Sequence, residues 1–230
     1  MIIGTTLTIS KETNEGSLKG YSGLDVQLFF RAKYFYEINH KEVNSLLKNN
    51  GVNVVSLHYP TVREAVLPNL DILRQAYNQR LFTFHPTQET LEDACIDFSK
   101  LEKSLSQMDV ELSLENLPSR KSWCNDPSNL YFIARELASF SVTYDTTHLP
   151  GEIDAIQGIE ENLTSVVHLS NAKYGLKTRD HLPLEQGERD LISFLKHLKK
   201  LSYSGQIILE YRKQKPDFLK QEIAKISKIT

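Results

Sequence analysis

The sequence predicts an α/β protein whose single domain, residues 1–230, is a (β/α)8 barrel with its first helix short or missing. Eight short runs rich in β-branched and aromatic residues recur along the chain, and amphipathic stretches separate most of them. Runs that are apolar throughout and alternate with helices indicate parallel strands covered on both faces. Eight such units in 230 residues fit a closed barrel better than an open doubly wound sheet. No glycine-rich phosphate loop follows any run, which removes the nucleotide-binding open sheets.

The predicted strands are MIIGTT (1–6), GLDVQLFF (23–30), VNVVSLH (52–58), LFTFH (81–85), VELSLE (110–115), FSVTYD (140–145), TSVVHL (164–169) and GQIILEY (205–211). Each is too short for a helix and is bounded by turn or polar residues. The first connection, SKETNEGSLKGYSG, contains two glycines and supports little helix. KEVNSLLKN, LPNLDILRQAYNQR, TLEDACIDFSKLEKSLSQM, DPSNLYFIARELA, RDLISFLKHLKKL and PDFLKQEIAKISKI place apolar residues at three- and four-residue intervals and read as helices.

Composition narrows the class. Hydrophobic content of 40% and charged content of 24% are ordinary for a soluble protein. No apolar run approaches the ~18 residues of a membrane span, and the opening MIIGTTLTIS lacks the basic lead of a signal peptide. The two cysteines, Cys95 and Cys124, suggest neither a disulfide framework nor a thiolate zinc site, so a reducing, cytoplasmic setting is expected. A net charge of −2 excludes a broadly basic surface but leaves room for a local basic patch.

In a barrel the chemistry belongs at the C-terminal strand ends. There the sequence places His58, His85, Glu115, Asp145 with His148 just beyond, His168, His181 in the following loop, and Glu210. Of seven histidines only His40 and His197 lie elsewhere. One such residue is more simply structural, but three carboxylates crowded on one rim are costly without a cation. Mixed imidazole and carboxylate donors suit zinc, manganese or cobalt better than calcium. Asp145 of SVTYDTTHLP is thus a metal ligand, and His148 is either a ligand of a second site or a substrate contact.

The pieces SLHYP, TFHPT, SLENLP, YDTTH with VVHLSNAK, and DHLPLEQG with ILEY together resemble the xylose isomerase-like TIM barrels. That superfamily holds sugar and sugar-phosphate isomerases and epimerases and also endonuclease IV. The isomerase branch implies one divalent metal (Zn, Mn, Co or Mg) held by Glu115, Asp145, His168 and Glu210. It implies proton transfer by Glu115 and Glu210 through a metal-stabilised enediolate, with His148 touching substrate. Endonuclease IV implies three zinc ions, to which His58, His85, His148 and His181 would add ligands. Its ninth ligand, an aspartate, falls on Arg179, and DHLPLEQGERD follows the isomerase pattern more closely.

The rim loops carry Arg31, Lys33, Arg63, Arg120, Lys121, Lys173, Lys177, Arg179, Arg212 and Lys213, a tilt that favours an anionic substrate. Trp123, Tyr34 and Phe30 are candidates to stack on a sugar face, with core packing equally open to Phe30. The reading is a metal-dependent sugar or sugar-phosphate isomerase/epimerase, its expected substrate contacts being His148, Trp123, Lys173, Arg179 and Arg212. The first alternative is an endonuclease IV-like zinc phosphodiesterase acting on abasic DNA, and only there is nucleic acid a partner. The second is a barrel that binds metal or sugar without turnover. No membrane partner is expected, and the sequence leaves the oligomeric state open.

Overall fold

The structure, a computed structural model, describes residues 1–59, 66–118, 123–148, 152–174, 179–212 and 214–230. Its eight parallel strands close on themselves: β1 (Ile2–Ile9), β2 (Asp25–Phe30), β3 (Asn53–His58), β4 (Leu81–Phe84), β5 (Glu111–Glu115), β6 (Phe140–Asp145), β7 (Thr164–Leu169) and β10 (Gln206–Leu209). Closure is made by β1, which pairs with β2 on one side and β10 on the other, Thr5 meeting both Val26 and Leu209. The helices are α1 (Glu15–Leu18), α2 (His40–Asn49), α3 (Val66–Tyr77), α4 (Leu91–Met108), α5 (Pro127–Glu136), α6 (Glu152–Glu160), α7 (Leu191–Lys200) and α8 (Pro216–Ile229). The first is a single turn, as the glycine-broken connection predicted.

Helix starts follow local chemistry. Thr90, Asp126 and Asp190 each accept a hydrogen bond from a backbone N–H of the first turn, and α5 and α8 open on proline. Besides short 3-10 turns at Ala32–Glu37 and Trp123–Asn125, two features of the described residues are absent from the sequence reading. One is α6; the other is a small antiparallel hairpin after β7, formed by β8 (Asn171–Lys173) and β9 (Arg179–Leu182). Asn171 anchors the hairpin, its side chain donating to the carbonyls of Leu184 and Arg189.

The apolar core lies between the barrel and its helices. Val26, Leu28, Leu57, Phe82, Leu112, Leu114, Val142, Val167 and Leu209 project outward into it. The alternate positions face the barrel axis and are largely polar: Gln27, Ser56, Thr83, Ser113, Thr143 and Gln206 are all buried. Two residues further along four of those strands come His58, His85, Glu115 and Asp145, and the pleat therefore aims them into the same mouth. Phe30 belongs to the outer core, edge-on to Phe35 and His40, so it does not stack on a ligand.

The sequence reading missed α6 because Gly158 interrupts its apolar face. That glycine is required: an added Cβ would lie 2.0 Å from the ring of Tyr131, whose hydroxyl is tied to Thr164 at 3.2 Å. Gly158→Ala is expected to lower stability by about 1–3 kcal/mol through overpacking, although alanine is the better helix former. Chemical denaturation of the two proteins checks this; an equal or more stable variant contradicts the packing.

Candidate metal centre

Asp145 ends β6 fully buried, and its neighbours in YDTTH explain its pose. Thr147 donates to Asp145 Oδ1 from both its backbone N–H (2.6 Å) and its hydroxyl (2.7 Å). Thr146 donates instead to the carbonyls of His168 and Ser170, tying β6 to β7. Asn116, next to Glu115, accepts from the Asp145 N–H at 2.7 Å and donates to its carbonyl at 3.2 Å. One carboxylate oxygen is thereby immobilised, while Oδ2 is buried with no hydrogen-bond partner.

Three imidazoles turn a ring nitrogen toward the carboxylates. His58 sets Nδ1 3.3 Å from the Tyr59 carbonyl, and His148 sets Nδ1 2.7 Å from the Asn116 carbonyl. A carbonyl only accepts, so His148 carries its N–H on Nδ1 and its lone pair on Nε2, whereas His58 has an acceptor on both sides and its neutral ring can donate to only one of them. His58 Nε2 then faces Glu115 Oε2 at 3.1 Å, and His148 Nε2 faces Asp145 Oδ2 at 3.5 Å. His168 sets Nε2 2.8 Å from Gln27 Oε1 and turns Nδ1 to Glu210 Oε2 at 3.1 Å and Glu115 Oε1 at 3.5 Å. His168 Nδ1 and Glu210 Oε2 are buried without hydrogen-bond partners. Lone pairs facing carboxylate oxygens at such distances repel unless a proton or a metal cation lies between them.

The donors fall into three groups whose ligand atoms lie within 4.8 Å of one another: Glu115, Asp145, His168 and Glu210; His58, His85 and Glu115; Asp145, His148 and His181. Four donors of mixed imidazole and carboxylate character suit a first-row divalent ion in the first group, so the residues present fit a metal. Glu115 belongs to two groups, with His58 and His85 both on its Oε2, the latter at 2.9 Å. His181 holds a left-handed backbone (φ 51°), an uncommon cost for a non-glycine residue.

The other predicted residues are placed as follows. Glu210, His181 and Arg212 line a cavity of about 490 Å³ together with Thr6, Thr8, Phe29 and Tyr211. Arg212 is ion-paired with Asp180. Lys173 and Arg179, paired across the hairpin, line a second cavity of about 370 Å³ with Glu185 and Gln186. Trp123 donates its indole N–H to the Gln88 carbonyl at 3.0 Å and borders neither cavity. Tyr34 stands beside Lys11 and Lys33. Arg63, Arg120, Lys121, Lys177 and Lys213 lie outside the described residues. Sequence reasoning missed Thr6, Thr8, Phe29, Gln27 and Asn116; polar residues at alternate positions inside apolar strands were the available signal.

Burial alone would lower the His168 pKa, but Glu115 and Glu210 overcome it and hold the value well above 6.5. Burial would raise Glu115, yet His85 and His168 hold it well below 4.5. Asp145 is raised, by burial first and then by Glu210 and Glu115, against the pull of His148. Without metal the centre is therefore knit by protonated His168 and His85, while burial lowers the value of His58. The stabilisation from His168 is complete below about 6.5 and lost as pH rises through its raised folded value; that from Glu115 is present above about 4.5 and lost in acid. Asp145, its value raised, contributes as the neutral acid below about 3.8 and loses that contribution as pH rises through its folded value. Chelator-treated protein is expected to melt at falling temperature as pH rises above about 6.5, and added zinc to remove that fall by taking the protons' place. A flat melting profile without metal would contradict this.

No curated protein sequence matches this chain. Among solved structures, a D-tagatose 3-epimerase-like protein is 17% identical over 99% of both chains, with a TM-score of 0.70. An apo 3-keto-D-glucoside 4-epimerase from E. coli is 16% identical over 99% of both, with a TM-score of 0.71. IolI protein, solved with a bound zinc atom, is 14% identical over 99% of this chain and 96% of its own, with a TM-score of 0.73. The family model described as xylose isomerase-like TIM barrel matches residues 19–229. The chain belongs to the xylose isomerase-like TIM-barrel family.

Proposed function

We propose that the protein is a metal-dependent isomerase or epimerase of a small sugar or sugar phosphate. The observation that carries this reading is the group Glu115, Asp145, His168 and Glu210, supplied by strands β5, β6 and β7 and the residue after β10, with unpartnered atoms on Asp145, His168 and Glu210. The sugar epimerases of like fold point the same way. The 490 Å³ cavity beside Glu210 is the size of a small-ligand site.

A divalent cation bound there would polarise adjacent carbonyl and hydroxyl oxygens of a ketose and so acidify the C–H between them. The chain's residues do the proton work. Glu210, side chain 24% exposed, borders the cavity, and His168 holds its pKa low against burial; it is ionised and takes the proton. Glu115 is also ionised at rest, so a proton it returns to the other face must first reach it. His85 is the donor in position: it sits 2.9 Å from Glu115 Oε2, and the Glu115 charge raises its pKa despite burial. Thr6, Thr8 and Phe29 offer hydroxyls and one aromatic face to the rest of the sugar. His148, Lys173, Arg179 and Arg212 are the proposed contacts to its polar or anionic groups.

A second reading, phosphodiester cleavage at a multinuclear site in nucleic acid, is favoured by one observation. The groups His58–His85–Glu115 and Asp145–His148–His181 each share a carboxylate with the central four, as bridged metal sites do. His58 and His85 separate the readings: in the first His85 holds a proton beside Glu115 while His58 only packs against the same carboxylate, and in the second both are ligands.

Glu210→Gln is expected to lower turnover of a ketose by about a thousandfold or more with the fold retained; undiminished turnover removes Glu210 from the mechanism. His58→Ala is expected to lower activity less than about tenfold if one metal serves, and by orders of magnitude if a second metal bridges through Glu115. Elemental analysis of protein purified without chelator gives the count directly. One divalent ion per chain supports the isomerase reading, two or three zinc ions support phosphoester cleavage, and none after reconstitution overturns both.

A further inference from the structure

Beneath the metal centre, a line of buried polar side chains crosses the barrel interior and touches the ligands at one point. Gln206 on β10 donates from Nε2 to the Val55 carbonyl at 3.0 Å. Ser56 on β3 donates its hydroxyl to Gln206 Oε1 at 2.7 Å. Gln27 on β2 donates from Nε2 to Ser56 Oγ at 3.2 Å and to Thr83 Oγ1 at 3.0 Å. Gln27 Oε1 then lies 2.8 Å from His168 Nε2. Gln27, Ser56, Thr83 and His168 are all fully buried, with no bulk water to compensate a wrong orientation.

The direction of every bond in this line follows from its far end. The Val55 carbonyl only accepts, so Gln206 must present its NH2 there and its oxygen to Ser56. With its one proton committed to that oxygen, Ser56 has only lone pairs for Gln27. Gln27 therefore turns its NH2 to Ser56 and its oxygen to His168. That oxygen requires an N–H on His168 Nε2, which leaves the lone pair on Nδ1, the nitrogen facing Glu115 and Glu210.

We infer that the Gln206–Ser56–Gln27 line is a tautomer lock: Gln27 is a positioning residue that keeps His168 Nδ1 as the metal ligand, and Gln206 sets the polarity of the line. A hydrogen bond to the second nitrogen of a ligating imidazole fixes its tautomer and raises its basicity. The inference rests on the metal-centre reading above and deepens it. It also accounts for the polar core of the barrel, where alternate positions that could have packed with aliphatic side chains hold a directed chain of hydrogen bonds.

The test uses the full-length protein, with histidine nitrogens followed by NMR and zinc affinity measured by competition with a chromophoric chelator. In zinc-loaded wild type, the lock predicts that His168 carries its proton on Nε2 and binds zinc through Nδ1. Gln27→Met, close in size but without a strong acceptor, is expected to weaken zinc binding about 10–100-fold, whereas Gln27→Glu, which still accepts, retains most of the affinity. Gln206→Leu touches no ligand, yet it frees the Ser56 hydroxyl and is expected to produce both His168 tautomers in the metal-free neutral state. Melting of the metal-free variants identifies any that fail to fold. Zinc on Nε2 of His168 in wild type, or equal affinity in folded Gln27→Met, overturns the lock and leaves the metal centre standing. Absence of zinc binding in wild type overturns the metal centre itself, and the lock with it.

Discussion

The structure is organised around lone pairs that have nowhere to go but toward one another. His58, His148 and His168 each turn one ring nitrogen to an oxygen that accepts an N–H, and each then aims the other nitrogen at a buried carboxylate. Removing charged groups from water costs several kcal/mol each, so the fold tolerates this crowd only with positive charge between its members. Protons can supply that charge, as the raised values of His168 and His85 show. A divalent cation could supply it too, because the unpartnered atoms Asp145 Oδ2, His168 Nδ1 and Glu210 Oε2 belong to residues of one candidate ligand group.

The barrel makes this arrangement possible. Closure by β1 leaves no open edge, so strands far apart in sequence meet across the axis, as Gln27 does with His168 and Ser56 with Gln206. The pleat sorts each strand into an outward apolar set and an inward polar set. The outward set packs against helices and supplies the hydrophobic stabilisation. The inward set is thereby free to hold the hydrogen bonds that orient His168 and its carboxylate neighbours, and hydrogen-bonding groups in such an interior keep their directions because water cannot compete. Stability and chemistry occupy opposite faces of the same strands.

Glu115 concentrates the functional ambiguity. Its Oε2 takes both His58 and His85, while its Oε1 faces His168 and His148. One carboxylate serving four imidazoles can be a proton carrier fed by His85 or a bridge between two cations. The two roles differ in the number of cations that Glu115 would touch.

Much of this was legible in the sequence, and the reason is periodicity. Strands and helices announce themselves through apolar spacing, which local packing imposes, so the eight strands and most helices lie where the pattern puts them. Strand-end position was enough to mark His58, His85, Glu115, Asp145, His168 and Glu210, since in a parallel barrel all such ends share one rim. The hairpin of β8 and β9 and helix α6 escaped because a three-residue strand and a glycine-bearing helix carry too little pattern. Phe30 was left between stacking and core packing and lies in the core, while Phe29, one residue earlier, borders the cavity, because only the register of β2 says which of the two faces the axis. Gln27, Ser56 and Gln206 read as incidental polar residues within apolar runs. Their meaning depends on contacts across the barrel, between residues 29 and 150 positions apart. The sequence by itself determined which groups could meet a metal and on which rim; only the closed tertiary structure decided which nitrogen of each histidine faces inward, because hydrogen-bond direction is set by partners that the chain brings together from its opposite ends.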